Sequence, residues 1–269
     1  PGTGLVPALN FGLANCRAKL VARMDGDDVC HPCRLEIQER FMSEQPDVGL
    51  LACSFGHFPR QQLKVGMLAY EAWQNSLVSH EQISRDLFVE SPFVHPSVMI
   101  RRELLESAGG YRDMGWAEDY DLWLRLAAMG ARFRRIQDTL FYWRDRAERA
   151  TRTMPEYTAE AFRRCKAHHL KNVYLRGEQT VTLIGAGTEG RAWRKTLAAE
   201  GIAVIRWVDL DPRKVGKLLH GAPVSAEHSV APGSGPMLVT IGTRGARDQI
   251  RAWASGRGLV EGSDFVCVT

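Results

Sequence analysis

The segment that most constrains this chain is Asp25-Gly26-Asp27-Asp28, entered from the apolar run Leu20-Val21-Ala22 and followed by Pro32-Cys33-Arg34-Leu35-Glu36-Ile37-Gln38. A strand that ends in clustered carboxylates presents hard oxygen ligands at a sheet edge, within reach of a divalent cation and a phosphorylated ligand. Asp28 alone could cap a helix opened by Pro32. One cap needs one carboxylate, however, and three acids within four residues repel one another unless a cation, hydrogen bonds or water compensate. The first expectation is therefore a site for a metal and a diphosphate.

The surrounding pattern reads as alternating helices and strands, an α/β layer fold. A helix is expected over 5–14, a strand over 19–24 and a helix over about 32–42 that buries Leu35, Ile37, Phe41 and Met42. A strand follows at 48–53 and helices near Tyr70–Leu77 and Glu81–Phe88. Pro92 to Ile100 reads as loop into strand, and 101–108 as a short helix ended by Gly109-Gly110. Glu118 to Met129 starts in acids, carries Leu122, Trp123, Leu126 and Ala127 on one side and stops at Gly130, as a helix should. Two short strands, 132–136 and 139–143, come next, and then a charged connecting helix over 155–176.

Three segments together resemble the core of the family-2 inverting glycosyltransferases with a GT-A fold: Leu9-Asn10-Phe11-Gly12-Leu13-Ala14, Val21-Ala22-Arg23-Met24-Asp25-Gly26-Asp27-Asp28, and Pro32 to Gln38. A second block agrees in order: His95-Pro96-Ser97-Val98-Met99-Ile100-Arg101-Arg102, Gly109-Gly110-Tyr111, and Glu118-Asp119-Tyr120-Asp121-Leu122-Trp123-Leu124-Arg125. The resemblance runs over residues 4–145. It implies transfer of a sugar from a nucleoside-diphosphate donor to a hydroxyl acceptor, with Mg²⁺ or Mn²⁺ neutralising the leaving diphosphate. Asp27 is then the direct metal ligand, Asp25 a contact to the ribose or to the metal and its water, and Asp28 a support of the turn or of the donor sugar. Asp119 is the catalytic base and Glu118 an acceptor ligand or orienting partner, because a hydroxyl at neutral pH needs a positioned carboxylate to take its proton. Without the upstream block, Glu118, Asp119 and Asp121 read equally well as complements to a helix N-terminus. His95 is a candidate neighbour of the acceptor or metal, and Arg34 and Gln38 are candidates for orienting the acidic turn. The family also implies a glycan, a lipid-linked precursor or another hydroxyl compound as acceptor, in cell-surface glycan synthesis. The family's first strand would precede Pro1, so reduced or absent activity is expected of this sequence by itself.

A second unit begins near Gln179. The run Thr180-Val181-Thr182-Leu183-Ile184 enters Gly185-Ala186-Gly187-Thr188-Glu189-Gly190 and a helix over 191–200, with Asp209 at the end of the next strand, 203–208. A strand at 237–241, a helix over about 244–255 and a last strand at 265–268 complete a compact Rossmann-like half. Gly185, Gly187 and Gly190 are candidates for holding a nucleotide, and Asp209 for binding a ribose hydroxyl. The unit resembles the nucleotide-sugar-binding part of some sugar acyltransferases and also general NAD-type folds. A nucleotide sugar or NAD(P) is therefore the candidate ligand, and an NAD(P)-dependent oxidoreductase or a non-catalytic nucleotide-sugar-binding protein is the rival function. The expected division is 1–150, a linker at 151–178, and 179–269.

Composition narrows the rest. Across 269 residues the net charge is only +4, and no nucleic-acid partner is read from it. Arginines crowd between Arg132 and Arg152, which suits an anionic substrate, a membrane surface or a solvated helix face. No apolar run approaches the roughly 20 residues of a membrane span and no secretory signal is visible. The expected location is cytoplasmic, with peripheral association at the inner face of the membrane. Cys30-His31-Pro32-Cys33, with Cys53 and His57, imitates zinc-ligand or redox spacing, but free thiols of a reducing compartment are the default.

Overall fold

In the computed structural model, which describes residues 4–146, 149–243 and 245–269, the chain forms two compact units. The first comprises Pro1–Leu87 and Ser91–Phe162, the second Phe88–Glu90 and Arg163–Thr269. The expectations attached to Pro1 and to Arg244 fall outside the described residues.

The first unit runs α1 (Leu5–Asn15), β1 (Leu20–Ala22), β2 (Val29–Cys30), α2 (Arg34–Glu44), β3 (Val48–Phe58), α3 (Val65–Ser76), α4 (His80–Asp86), β4 (Val98–Arg101), α5 (Arg102–Ser107), α6 (Glu118–Ala128), β5 (Arg132–Arg144) and α7 (Ala150–Thr153). Its five strands lie in the order β1-β4-β3-β5-β2. β3 is parallel to β5 and antiparallel to β4, so the sheet is mixed. Residues 48–55 of β3 are buried without alternation, as expected of a central strand covered on both faces.

The core of this unit explains where its chemistry ends up. Phe93 packs edge-on against Trp123 of α6 and Phe133 of β5, with ring centroids 5.7 and 5.6 Å apart. Trp123 is fully buried, and so are Leu122, Leu124 and Leu126, so α6 is locked against the sheet along most of its length. Gly130, at φ 78°, ends it: the Gly130 N–H donates to the Ala127 carbonyl and the Ala131 N–H to that of Leu126.

Three expectations are corrected here. On α2, Met42 is buried and Ile37 and Phe41 pack partly buried against the core as expected, but Leu35 is 55 % exposed and Arg34 and Gln38 are buried. These two polar side chains are selected because α2 covers strand ends whose carbonyls need donors: Gln38 Nε2 donates to the Leu51 and Ser97 carbonyls, and Arg34 Nη2 to those of Arg23 and Val98. The two short strands at 132–143 are one, β5, because the register of β3 shifts at Cys53–Phe55 and absorbs the irregular pattern. The connecting helix is a 3₁₀ turn (Pro155–Tyr157), then α8 (Ala159–Leu170), then a π turn (Lys171–Leu175).

The second unit contains β6 (Thr180–Ile184), α9 (Thr188–Ala199), β7 (Ala203–Val208), β8 (Leu218–Leu219), β9 (Ala222–Ser225), β10 (Met237–Val239), α10 (Ala246–Ser255) and β11 (Phe265–Cys267). The strand order is β11-β10-β6-β7-β9-β8, parallel except for the β8–β9 hairpin. The order reverses between β6 and β10, the topological switch point of a doubly wound sheet.

Candidate active site

The acidic turn is positioned from both sides. Upstream, Arg23 lies two residues before Asp25 and binds it through two nitrogens, at 2.7 and 2.5 Å. Below, the buried Arg34 donates to the Arg23 carbonyl and to Gln38 Oε1, so Arg34 and Gln38 fix the end of β1 from beneath. From the far side of the sheet, the Arg144 N–H donates to Asp28 Oδ1 at 2.8 Å, and Arg144 Nε donates to the Asp27 carbonyl at 2.7 Å. Arg146 forms an ion pair with the Asp27 carboxylate.

The arginine-rich stretch is thus divided by role rather than forming a helix face. Arg135 is buried in the core and donates to the carbonyls of Leu77, Cys53 and Pro92, and burial pushes its guanidinium down to about 10. Arg144, Arg146 and Arg149 instead face a cavity of about 390 Å³. Arg149 lies over the Trp143 ring, 3.6 Å from its centroid.

That cavity brings most of the candidate residues of the first unit together. Asp25, Asp27, His95, Glu118 and Asp119 all line it, with Arg23, Tyr70, Trp143 and Tyr157. Asp28 is half-buried behind the turn. Its Oδ2 has no hydrogen-bond partner, and burial, reinforced by the charges of Asp25 and Asp27 against the Arg144 N–H, pushes its carboxyl up to about 6.

Glu118 and Asp119 open α6 but sit in different surroundings. Glu118 is buried. Its Oε2 accepts from the Tyr157 hydroxyl at 2.7 Å, and its Oε1 lies 3.5 Å from His95 Nδ1. Burial works to raise Glu118, but His95 and Tyr157 outweigh it and hold the carboxyl below its ordinary value. Asp119 accepts from its neighbour's backbone, the Tyr120 N–H, at 2.6 Å. Burial, and next the charge on Glu118, push Asp119 up to about 8. The pair therefore divides into a fixed anion and a proton carrier near neutrality.

His95 is buried, and burial depresses its imidazole, favouring the neutral ring. The tautomer with Nδ1–H toward Glu118 leaves Nε2, 2.9 Å from the Tyr111 oxygen, to accept from that hydroxyl. Tyr111 is tied to α1 by a reciprocal pair: Asn10 Nδ2 donates to the Tyr111 carbonyl at 2.8 Å and the Tyr111 N–H to Asn10 Oδ1 at 2.9 Å. Gly110, at φ 66°, is required there because a Cβ would stand 2.6 Å from Asn10 Oδ1.

Cys30 and Cys33 are exposed, Cys53 is buried and His57 pairs with Glu71, so these residues form no three-ligand cluster among the described residues.

In the second unit, Gly185, Gly187 and Asp209 line a cavity of about 870 Å³ and Gly190 does not. Asp209 accepts from the Ala186 N–H and Lys214 Nζ on one oxygen and from the Asp211 N–H on the other. Burial opposes ionisation, but these donors win and hold Asp209 below the usual carboxylate range.

Sequence reasoning did not assign Arg23, Tyr111, Tyr157, Trp143 or Arg149 to the site. Arg23 had a signal, since it stands two residues before Asp25 at the mouth of the acidic turn. Tyr157 had none, because the contact that makes it relevant lies 39 residues away in the chain.

Comparison with known proteins locates the same region. The model of glycosyl transferase family 2 matches residues 1–109. The amylovoran biosynthesis glycosyltransferase AmsE of Erwinia amylovora is 34 % identical over 140 residues, 51 % of this chain and 49 % of that protein. The UDP-Gal:alpha-D-GlcNAc-diphosphoundecaprenol beta-1,3-galactosyltransferase of Escherichia coli is 34 % identical over 149 residues, 55 % of this chain and 52 % of that one. Among solved structures, S. aureus TarS 1-349 in complex with UDP-GlcNAc superposes with a TM-score of 0.47 at 15 % identity, covering 71 % of this chain and 50 % of that one. The chain spans about half the length of the curated relatives it matches. No helix among the described residues is long and apolar enough to cross a membrane. The match falls on the mixed-sheet unit, and over residues 1–109 the chain is similar to glycosyltransferase family 2.

Proposed function

We propose that the first unit is an inverting glycosyltransferase that moves a sugar from a nucleoside-diphosphate donor to a hydroxyl acceptor in cell-surface glycan synthesis. The observation that carries this reading is a single cavity in which Asp25 and Asp27, beside Arg144, Arg146 and Arg149, face Glu118 and Asp119. One side of it suits a leaving diphosphate, the other an attacking hydroxyl. In the reaction the acceptor oxygen bonds to the anomeric carbon as the bond from that carbon to the phosphate oxygen breaks. The electron pair leaves on the diphosphate, and the acceptor's proton passes to Asp119. Glu118, held ionised by Tyr157 and His95, keeps Asp119 basic enough to take that proton and orients the acceptor.

The residues fit a hard divalent cation such as Mg²⁺ or Mn²⁺. Asp27 and Asp25 offer carboxylate oxygens to the cavity, and Asp28 holds an unpartnered buried oxygen behind them. A bound cation would neutralise charge on the leaving diphosphate. Asp27 is the first ligand and Asp25 the second. Arg146, which pairs with Asp27, would be released to contact the diphosphate oxygens if a cation were bound there. The name of the E. coli relative supports a lipid-linked acceptor and a UDP-sugar donor, which would set the reaction at the cytoplasmic face of the membrane. No observation favours an oxidoreductase reading.

The test is transfer of labelled sugar from a panel of UDP- and GDP-sugars to polyprenyl-diphosphate sugars in the presence of Mn²⁺. Product that requires both Asp27 and Asp119 is expected. Transfer that persists in Asp119→Asn would refute the assignment of the base.

A further inference from the structure

The large cavity of the second unit has no part in sugar transfer as proposed, yet it has the size of a ligand site. We propose that it is a ribonucleotide site, separate from the acidic cavity of the first unit, with the phosphate on the glycine loop and the ribose on Asp209.

Several observations converge on it. The cavity, about 870 Å³, lies at the β6–β10 switch point, where an open parallel sheet leaves a crevice outside its strand ends. The three loop glycines have different reasons to be glycine. A Cβ on Gly185 would stand 2.6 Å from Ile241 Cγ1, and one on Gly190 would collide with the Gly185 carbonyl oxygen, so both are fixed by internal packing. Gly187 has φ −91° and open space around its Cβ position, and it lines the cavity. Nothing in the protein demands glycine there, whereas a ligand atom seated against the backbone would.

The polar groups of the wall also lack internal business. Trp253 Nε1 and Thr269 Oγ1 belong to residues lining the cavity and are buried without a hydrogen-bond partner among the described residues. α9 begins at Gly187 with no side-chain cap, leaving first-turn N–H groups for an anion. Asp209 is held in place by Ala186, Asp211 and Lys214, and its carboxylate retains capacity to accept from ribose hydroxyls. Ile241, Ile250 and Trp253 supply an apolar wall for a base. Glu189 and Glu227 also line the cavity and weigh against highly charged polyphosphates.

The decisive variant is Gly187→Asp. Aspartate is a favoured N-cap residue at an ordinary φ, so the helix is stabilised, while its charge takes the place of the phosphate. Binding of AMP, UDP, NAD⁺ and inorganic phosphate is measured by calorimetry on the full chain, in EDTA and on the Asp27→Asn background, so that the acidic cavity of the first unit is silent. At least one nucleotide is expected to bind, and the arms distinguish mononucleotide from dinucleotide. Gly187→Asp should lower its affinity by at least about tenfold with no fall in Tm, and a 2′,3′-dideoxy analogue should bind as weakly to the wild type. Absence of binding by every nucleotide, binding of phosphate alone, or affinity unchanged in Gly187→Asp would each overturn the proposal. All of these outcomes are independent of whether the first unit transfers sugar.

Discussion

Asp119 in the first unit and Asp209 in the second each line a cavity at the end of a packed element, and their surroundings push them in opposite directions. Asp119 is pushed up by burial and then by its ionised neighbour Glu118, and its carboxyl rises to about 8. Asp209 has two backbone donors and a lysine, and its carboxyl falls. A carboxylate that burial and a like charge disfavour as an anion becomes a group that exchanges a proton near neutral pH; one well supplied with donors becomes a fixed anion that can only hold something. The two units therefore read as a site built for chemistry and a site built for binding.

The largest expected effect breaks that comparison at Asp119. Asp119→Asn should lower transfer about 10²- to 10⁴-fold, the usual contribution of a general base, with donor affinity unchanged in a direct binding measurement. A parallel loss of binding would show that the residue holds the donor instead. Next comes packing in the second unit. Gly190→Ala forces a methyl onto the Gly185 carbonyl oxygen, with Thr240 and Trp207 also close, and should cost roughly 1–3 kcal/mol, typical of overpacking, in chemical denaturation. Gly187→Ala, with open space, should be close to neutral.

The smallest effect is in pH. The raised carboxyl of Asp119 contributes stability that is complete below its ordinary value near 4 and is lost as pH rises through about 8. Its activity as a base runs the other way, so kcat/KM should climb with pH and level off above about 8. Asp209, with a depressed carboxyl, contributes stability that is present above its ordinary value of 3.8 and is lost as pH falls through the lower native one. A flat kcat/KM between pH 6 and 9 would contradict the role given to Asp119.

How far the sequence reveals these sites depends on chain distance. The acidic turn, the Glu118-Asp119 start of α6 and the β6–glycine loop–α9 unit are local patterns, and each is found in that order, with α9 beginning at Thr188 rather than at 191. What is not legible is made by contacts across the chain. Arg144 reaches Asp28 over 116 residues, and it belongs to an arginine run whose members go to the core and to the cavity according to their position on β5 and just after it. Arg34 and Gln38 of α2 are buried against the hydrophobic pattern because the neighbouring carbonyls, invisible in a one-dimensional reading, need donors. The two-residue strands β2 and β8 are too short to leave a period, and Leu218 of β8 is 73 % exposed.

The central claim is that the acidic cavity of the first unit receives a nucleoside diphosphate through a metal held at Asp27. Calorimetric titration of UDP and GDP into the Gly187→Asp chain, with and without Mn²⁺, tests it with the second cavity disabled. Binding is expected to require Mn²⁺ and to disappear when Asp27→Asn is added. Binding that ignores both the metal and Asp27 would contradict it.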